Sequence, residues 1–547
     1  MIGASLLLAL LQGPQPAQEA PPVPRLVVLI CVDQLRENQL DRLSPVLTGG
    51  LHRLLEEGQR FRGARLGYLI TETGPGHVTL GSGCLPDKSG VLANQWRVRG
   101  NKDLVYCVGG PADRLGVGGS YEASGRDATN LRRPALGEIL GQRWPNSKVI
   151  AISGKDRGAI GLGGRTADAC LWWDKGGRGW VTSTAFGESL PPWAAAASRG
   201  WVHQAAGWTW NVSFDAKAPP PGTQADQRPG EVPLPGGDGT LPWSLPQPAD
   251  RGDSAERAKL AGRVYAVPLL DALALQLGRE ALQAEDLGLD GSPDLLCLAL
   301  SSCDSVGHRF GPKSREVTDL LLRLDRDLGV MFDLLDRRLG ADSWIACLSA
   351  DHGVLDLPEQ RLEENLPGLR VSKGELGRLR GVLRDHLKET LKSSCKLTIV
   401  GHAVWMNADD VRAAGGDLVQ VRRQLAELVR EHAPWADLVF TNEELTANGA
   451  AGILGLAQAS YQESTAPDLL IHTQPGTLLG LSGGTSHGSA HEYDRSVPLI
   501  FMGTPFTPGE HTRSAGPEDA VPTLLRALGW TTQEIEAFGF DGQSLLP

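Results

Sequence analysis

The chain has 547 residues, of which 41% are hydrophobic and 21% are charged, and its formal net charge is −11. This composition is typical of a globular protein with a sizeable core, and it excludes a collagen-like chain, a coiled coil and wholesale disorder. The acidic balance provides no basic surface of the kind that nucleic-acid binding requires, so we expect no nucleic-acid partner.

An apolar stretch at residues 4–11 has the length of the hydrophobic region of a signal peptide and is too short to span a membrane. No basic residue precedes it and no clear cleavage motif follows it, so a disordered tail is the alternative. We expect residues 1–20 to be a signal peptide. The protein is then exported, periplasmic or secreted, with no stable membrane span.

Four apolar runs of strand length recur along the chain, at residues 26–32, 149–152, 295–300 and 344–348. Because these runs do not alternate with polar residues, they indicate strands that are buried on both faces. An amphipathic helix is predicted between the last two runs, at about residues 314–339. The succession predicts an α/β fold, a doubly wound and mostly parallel sheet with helices on both faces.

Two segments interrupt this pattern. Residues 203–255 are rich in Pro, Gly and Trp, which predicts a long surface excursion. Residues 355–480 contain charged helical stretches at 373–392 and 411–432 and begin after one core strand, which predicts an inserted cap. The remaining ranges, which would form the α/β core, are 21–354 and 481–547.

The eight cysteines include no C-x-x-C pair and no zinc-finger spacing. Cys31, Cys297 and Cys347 lie in apolar runs and are expected to be small core residues. In an exported protein one or two disulfides could form, and Cys84 and Cys107 are candidate members.

Acidic and imidazole side chains follow the predicted strands. Asp33 comes directly after the first run, Asp304 shortly after the third, and Asp351 with His352 after the fourth. Open α/β sheets place their ligands at the carboxyl ends of strands, so we expect these side chains to meet at one edge. His308 follows Asp304 by one helical turn and would face the same point.

His487 lies in a Gly-rich loop that is able to bring its imidazole to this edge, although His491 is an alternative. Carboxylates and neutral imidazoles suit Zn²⁺, with ligand distances of about 2.0 to 2.2 Å. Three of each exceed the needs of one tetrahedral ion and predict two ions about 4 Å apart, an arrangement used in phosphoryl transfer. In isolation each residue also has a structural interpretation, such as Asp33 as a helix cap.

A hydroxyl nucleophile is predicted at Thr73. The segment before it is strand-like, and Pro75 flanked by glycines predicts a sharp turn. Such a turn would present Thr73 at a helix N-terminus, where backbone N–H groups favour an oxyanion or a phosphate. Since a hydroxyl needs a metal ion to become a useful nucleophile, Thr73 without metals would be only a helix cap.

Taken together, these strings resemble the alkaline phosphatase superfamily, in its nucleotide pyrophosphatase/phosphodiesterase branch, and most closely the PafA-like alkaline phosphatases. The similar motifs follow the family's order from residue 26 to about residue 505. They are Val32-Asp33-Gln34, Thr73-Gly-Pro-Gly-His77, Gly90-Val-Leu-Ala-Asn94, Ser153-Gly-Lys155-Asp-Arg157, Asp304-Ser-Val-Gly-His308, Ser349-Ala-Asp351-His352-Gly and Thr485-Ser-His487-Gly.

The resemblance implies two zinc ions per chain, one beside the leaving oxygen and one that activates the nucleophile. The residues implied for the first ion are Asp304, His308 and His487. The residues implied for the second are Asp33, Asp351, His352 and the oxygen of Thr73.

By the same resemblance Asn94, Lys155 and Arg157 would bind the phosphate oxygens, and with Thr73 they would form the catalytic set. A monoester dianion has an additional charged oxygen that two cations can hold, so monoesters are the expected substrates. The expected reaction is zinc-dependent hydrolysis of small-molecule phosphate monoesters through a phosphothreonine intermediate. It releases inorganic phosphate, and we expect the enzyme to be a monomer.

Three alternatives stay open. A phosphodiesterase or nucleotide pyrophosphatase would use the same two metals. A sulfatase is suggested by Cys84-Leu-Pro-Asp-Lys88, which resembles the cysteine box of that family but has Lys88 in place of its Arg. A catalytically silent binding protein would be expected to lack a metal ligand, whereas every expected position is filled.

Overall fold

The computed structural model describes residues 23–101 and 103–547, so the predicted signal peptide lies outside the described residues. The described strands are β1 Leu26–Val32, β2 Gln59–Phe61, β3 Gln95–Arg97, β4 Leu104–Tyr106, β5 Arg114–Gly116, β6 Gly119–Tyr121, β7 Val149–Ser153, β8 Ala169–Asp174, β9 Gly179–Ser183, β10 Thr209–Trp210, β11 Trp243–Ser244, β12 Asp294–Leu300, β13 Trp344–Ser349, β14 Leu369–Val371, β15 Leu397–Val400, β16 Ala403–Met406, β17 Ala436–Thr441, β18 Leu469–Thr473, β19 Thr477–Leu479, β20 Leu499–Met502 and β21 Gly509–His511.

The described α-helices are α1 Glu37–Leu43, α2 Gly50–Glu57, α3 Thr73–Ser82, α4 Pro86–Ser89, α5 Leu136–Arg143, α6 Asp156–Gly163, α7 Pro192–Ala205, α8 Ser254–Val264, α9 Leu269–Ala284, α10 Ser302–Phe310, α11 Arg315–Leu339, α12 Pro358–Glu363, α13 Lys373–Leu391, α14 Ala408–Ala413, α15 Leu418–His432, α16 Asn442–Thr446, α17 Gly452–Gln458, α18 Glu492–Arg495, α19 Ala520–Ala527 and α20 Thr532–Glu536. In the described ranges no single helix has the length and apolarity needed to cross a membrane; α8 and α9 meet that test only as a pair bent by 94°.

One large sheet organises the fold. Its 11 strands run in the order β21-β2-β20-β13-β1-β12-β7-β8-β9-β5-β6. The central strands β13, β1, β12, β7 and β8 are parallel, whereas β20 and the strands beyond β8 pair antiparallel. The predicted α/β fold is confirmed, with five parallel strands at the centre of the sheet and one further parallel pair, β2 and β21, at an edge.

Alternate residues of β1 enter two separate hydrophobic cores, one on each face of the sheet. Leu26 and Val28 belong to the core that includes residues of α9 and α11. Val27 and Leu29 belong to the core that includes residues of α3, α6 and α19. Every residue of β1 is fully buried, which explains why its sequence is continuously apolar. The helices therefore cover both faces, as the sequence predicts.

The long amphipathic helix is observed as α11. It begins after Ser314, whose hydroxyl accepts a hydrogen bond from the Val317 N–H at 3.1 Å and so caps the first turn. It ends at Gly340, which has a φ of 89°, a value that favours glycine.

The region between α12 and β19 contains a second sheet of four antiparallel strands, in the order β15-β16-β18-β17, with its own hydrophobic core. Of the two helices predicted there, the first is observed as α13. The prediction of one continuous helix over 411–432 is wrong, because Gly415 adopts a φ of 74° and ends α14. The Asp417 carboxylate then caps α15 by accepting from the Val419 N–H at 2.8 Å.

The Trp-rich excursion is anchored in the core. Trp210, at its start, is fully buried, and its Nε1 donates to Asp319 Oδ2 of α11 at 2.7 Å. The excursion therefore packs against the long helix as well as covering the surface. All eight cysteines are free and seven are buried, so neither Cys84 nor Cys107 forms a disulfide in this structure.

We predict that Leu328→Ala destabilises the protein by about 2 to 5 kcal/mol, because Leu328 lies on the core face of α11 and its removal leaves a cavity. Val330→Ala is the matched control on the same helix, since 52% of Val330 is exposed, and it should change stability by less than about 0.5 kcal/mol. Urea unfolding followed by tryptophan fluorescence measures both. Equal shifts in the two midpoints would contradict the assignment of the helix faces.

Candidate active site

The carboxyl ends of three central strands bring acidic side chains together. Asp33 follows β1, and Asp351 with His352 follows β13; all three are fully buried and their ligand atoms lie within 4.8 Å of one another. A second group of the same kind comprises Asp304 and His308 of α10, together with His487. The structure thus brings together all the side chains that the sequence predicts as metal ligands, apart from Thr73, in two groups.

The two groups are adjacent. His308 Nε2 lies 3.0 Å and His487 Nε2 lies 3.6 Å from the same oxygen, Asp304 Oδ1. In the other group His352 Nε2 lies 3.5 Å from Asp33 Oδ1. The rings of His352 and His487 stack with their centroids 3.5 Å apart, so one imidazole of each group contacts the other group.

Each of the three imidazoles is oriented by its other nitrogen. In every case Nδ1 lies within hydrogen-bond distance of a backbone carbonyl, which can only accept, so Nδ1 carries the proton. Nε2 is then left with a lone pair directed at the carboxylates, the form in which histidine binds a metal. The carbonyl partners are Thr485 at 2.7 Å for His308, Gly353 at 2.9 Å for His352 and Thr71 at 2.7 Å for His487.

Two buried acceptors of the site lack donors. Asp33 Oδ1 and His352 Nε2 face each other without a hydrogen-bond donor among the residues that the structure describes. Burial lowers the pKa of His352 to about 3, so this imidazole stays neutral across the physiological range. Facing acceptors that are buried and unpaired are unfavourable unless a cation lies between them, so the site fits a metal ion.

The charge of the site leads to the same conclusion. Burial and the neighbouring Asp351 carboxylate raise the pKa of Asp33 well above its ordinary value. The only ammonium in contact with this carboxylate, within the described ranges, is that of Lys155, which lies 2.5 Å from Asp33 Oδ2 and 2.6 Å from Asp304 Oδ2. Although burial opposes it, these two carboxylates raise the pKa of Lys155. One ammonium does not balance three carboxylates, and divalent cations would.

Thr73 is the first residue of α3, as predicted, but the local structure before it differs from the prediction. The segment directly before it, residues 66–72, is not a strand. Gly74, Pro75 and Gly76 lie in the first turn of the helix instead of forming a separate turn. Proline is tolerated in a first turn because it has no N–H to satisfy there. Glycine is required at position 76, because a Cβ there would lie 2.3 Å from the carbonyl oxygen of Asp351.

The three residues predicted to bind phosphate surround the Thr73 hydroxyl. Lys155 Nζ lies 3.3 Å and Arg157 Nη2 lies 3.5 Å from Thr73 Oγ1. Both residues come from the junction of β7 and α6. Asn94 Oδ1 accepts a hydrogen bond from the Gly74 N–H at 2.8 Å, which fixes the amide group of Asn94 beside Thr73.

Two further residues contact the ligand groups, and the sequence pattern predicted no role for either of them. Gln34 donates from Nε2 to Asp304 Oδ1 at 2.8 Å and from its backbone N–H to Asp351 Oδ1 at 3.1 Å, so it joins the two ligand groups. Its φ of 72° is unusual for a residue other than glycine. His77 Nδ1 lies 3.2 Å from Asp351 Oδ2. Only their positions within the quoted motifs could have indicated them.

The alternative residues lie elsewhere. His491 Nε2 is directed to the Thr473 carbonyl oxygen at 2.9 Å, and its ring packs against His472 rather than against the ligand groups. Cys84, the cysteine of the sulfatase-like string, is buried next to Arg133 and Asp541, and burial raises the pKa of its thiol. Neither arrangement suits the role that the alternative would require.

Comparison with known proteins identifies relatives for nearly the whole chain. The model of the type I phosphodiesterase/nucleotide pyrophosphatase family matches residues 27–494. Alkaline phosphatase PhoV of Synechococcus elongatus is 29% identical over 92% of this chain and 90% of its own. Alkaline phosphatase PhoK of a Sphingomonas species is 28% identical over 92% and 88%. The crystal structure of wild-type alkaline phosphatase PafA superposes with a TM-score of 0.85, at 25% identity over 96% of this chain and 99% of that one.

We predict that His308→Ala lowers the metal content of the purified protein by about one ion per chain, since a three-residue site with one ligand removed binds weakly. His432→Ala is the matched control, because this histidine is exposed at the end of α15. Elemental analysis after dialysis against a weak chelator measures the content. Unchanged metal in His308→Ala would contradict the assignment of this residue as a ligand.

Proposed function

The chain belongs to the type I phosphodiesterase/nucleotide pyrophosphatase family, and we propose that it is an alkaline phosphatase, a metal-dependent hydrolase of phosphate monoesters. One observation carries this proposal. The buried hydroxyl of Thr73 lies within 3.5 Å of both Lys155 Nζ and Arg157 Nη2, next to two groups of metal-ligating side chains. A nucleophile, two cations and two metal sites together are the parts that phosphoryl transfer requires.

The ligand sets favour two zinc ions per chain. Asp304, His308 and His487 offer one carboxylate and two imidazoles, a combination that zinc accepts and that Mg²⁺ or Ca²⁺ seldom uses. The other set adds the oxygen of Thr73 to two carboxylates and one imidazole. When bound, the ions would lower the pKa of the nucleophile and of a water molecule and would neutralise charge on the leaving oxygen.

The reaction takes place in two displacements. Thr73 Oγ1 attacks phosphorus in line, so that an O–P bond to threonine forms while the bond to the alcohol breaks. Water then displaces Thr73 from the phosphothreonine, releasing inorganic phosphate and restoring the hydroxyl. Throughout, Lys155, Arg157 and the Asn94 amide hold the non-bridging oxygens, over which charge is spread in the transition state.

The two cations also favour monoesters over diesters. A monoester dianion offers Lys155 and Arg157 a charged oxygen that in a diester is replaced by an ester group. Lys155 is 4% exposed, so its ammonium interacts with that oxygen with little screening by water. Once metal ions engage the carboxylates of Asp33 and Asp304, which contact Lys155 in this structure, a diester would leave part of this buried positive charge without a partner.

We also propose where the protein acts and that it acts as a monomer. The apolar stretch at residues 4–11 supports export, to the periplasm or outside the cell, after removal of a signal peptide. All seven proposed metal ligands come from a single chain, which supports a monomer as the working unit.

We predict that Thr73→Ala lowers kcat for an aryl monophosphate by at least about 10³-fold, because no other hydroxyl replaces the nucleophile. Thr73→Ser keeps a hydroxyl and should therefore retain most of the wild-type activity. Circular dichroism and metal analysis of both variants verify that the fold and the ions are intact. Turnover by the alanine variant at the rate of wild type would contradict the role of Thr73 as the nucleophile.

We predict that kcat/KM for an aryl monophosphate exceeds that for the matching bis-aryl phosphodiester. Arg157→Ala should lower the monoester value by about 10- to 100-fold and the diester value less, since only the monoester uses the full charge. Arg165→Ala, at an exposed arginine just beyond α6, is the matched control and should leave the ratio unchanged. A wild-type preference for the diester would instead identify a phosphodiesterase.

A further inference from the structure

A cavity of about 330 Å³ lies beside the two phosphate-binding cations. Lys155 and Arg157 belong to its lining, and the same two side chains lie 3.3 and 3.5 Å from Thr73 Oγ1. The organic portion of a phosphate ester held at Thr73 would therefore have this cavity next to it. The inference below rests on the proposed phosphatase function, because it concerns the substrate of the same site.

The cavity has an aromatic wall and a charged rim. Tyr106, Trp172 and Tyr265 contribute rings to the lining. At the rim, Lys175 from the turn between β8 and β9 places Nζ 3.4 Å from the centroid of the Tyr265 ring. Arg114, from strand β5 next to the edge of the sheet, also lines the cavity. These two cations belong to neither the phosphate site nor the metal ligands.

Neither of these rim cations is neutralised by the protein. Among the described residues, no carboxylate forms an ion pair with Lys175 or with Arg114. Arg114 donates from Nε to the Ser124 carbonyl oxygen at 2.9 Å, which fixes its position without balancing its charge. Both are therefore held at the cavity with their charge available to a ligand.

The two acidic residues in the lining are already paired. Asp156 accepts a hydrogen bond from the Tyr106 hydroxyl at 2.7 Å and forms an ion pair with Arg126. Asp174 Oδ2 lies 3.5 Å from Nη1 of Arg178, a residue that does not line the cavity. The net charge that the lining presents to a ligand is therefore positive, even beyond the charge that the phosphate itself would neutralise.

The titration of Lys175 agrees with an excess of positive charge. Although the residue as a whole is exposed, burial of its ammonium against the ring and the proximity of Lys155 and Arg157 lower its pKa to about 8. An anion in the cavity would relieve this repulsion.

We infer that the cavity binds a second anionic group, a carboxylate or a phosphate, carried by the organic portion of the substrate, through Lys175 and Arg114. A neutral apolar group would cover the aromatic wall but leave both cations unpaired. An anion joined to the phosphate by a short linker pairs with them while its linker packs on the rings of Tyr106 and Tyr265. The preferred substrates are then phosphate monoesters that contain an additional negative charge.

Paired substrates test this preference at neutral pH. The first pair is para-(carboxymethyl)phenyl phosphate and its carboxamide, which have the same shape and closely similar leaving groups. The second pair is propanediol bisphosphate and hydroxypropyl phosphate. We expect kcat/KM for the anionic member to be about tenfold higher in at least one pair, the size of one charge-assisted contact. The pair that responds distinguishes a carboxylate from a phosphate as the bound group.

Variants link the preference to the cavity. Lys175→Gln should lower the anionic-to-neutral ratio to the contribution of Arg114 alone, while Lys175→Arg should keep it. Lys259→Gln is the matched control, because Lys259 is exposed on α8, forms no ion pair with a described residue and does not line the cavity, so this variant should leave the ratio unchanged. Equal loss of the ratio in Lys175→Gln and Lys259→Gln would show a general effect of charge and overturn the inference.

The outcomes separate this inference from the proposed function. Efficient hydrolysis of the neutral esters without any preference for the anionic ones overturns the inference and leaves the phosphatase proposal intact. If no monoester is hydrolysed, the phosphatase proposal fails, and binding of the para-(carboxymethyl)phenyl phosphonate and its carboxamide is measured by calorimetry. Equal affinities of the two phosphonates then overturn the inference as well, whereas about tenfold tighter binding of the carboxylate upholds it.

Discussion

The repulsion between three carboxylates that are buried at the ends of neighbouring strands is the constraint on which the site depends. Asp33, Asp304 and Asp351 approach one another because the strands they follow are parallel and adjacent. Such an arrangement is unfavourable in a protein interior unless positive charge accompanies it. Lys155 supplies one charge, and the lone pairs of three oriented imidazoles indicate where further positive charge belongs. The site is therefore built around cations.

Small residues allow Thr73 to approach that centre. Helix α3 lies so close to its neighbours that a Cβ at Gly76 would meet the backbone of Asp351, and one at Gly81 would lie 2.6 Å from the Gly161 carbonyl oxygen of α6. The helices that carry Thr73 and Arg157 are thus in backbone contact. This packing fixes the hydroxyl relative to the cations, and it accounts for glycines that the sequence alone suggested were part of a turn.

The sequence predicted the parts of the structure that depend on local pattern. Four of the five central strands, all but β8, were predicted together with α11 and the residues that follow each strand, because buried parallel strands are continuously apolar and their ends converge. The break between α14 and α15 was not predicted, because Gly415 and Gly416 interrupt the charged helical pattern of residues 411–432 only briefly. The role of Gln34 depends on a backbone conformation that no pattern indicates. The cavity was unpredictable because residues from β4, β5, the β8–β9 turn and the segment directly after α8 meet only in the folded chain.

The distribution of the ligands along the chain has a consequence for biosynthesis. Asp33 emerges from the ribosome early, whereas His487 follows the entire second sheet and its helices. A nascent chain that stops short of His487 lacks the complete Asp304 group, whereas the Asp33 group is complete once His352 has been added. Metal binding by the Asp304 group would therefore wait until the second sheet has been synthesised, and a product truncated before His487 would carry the acidic residues of the site without the imidazole that completes this group.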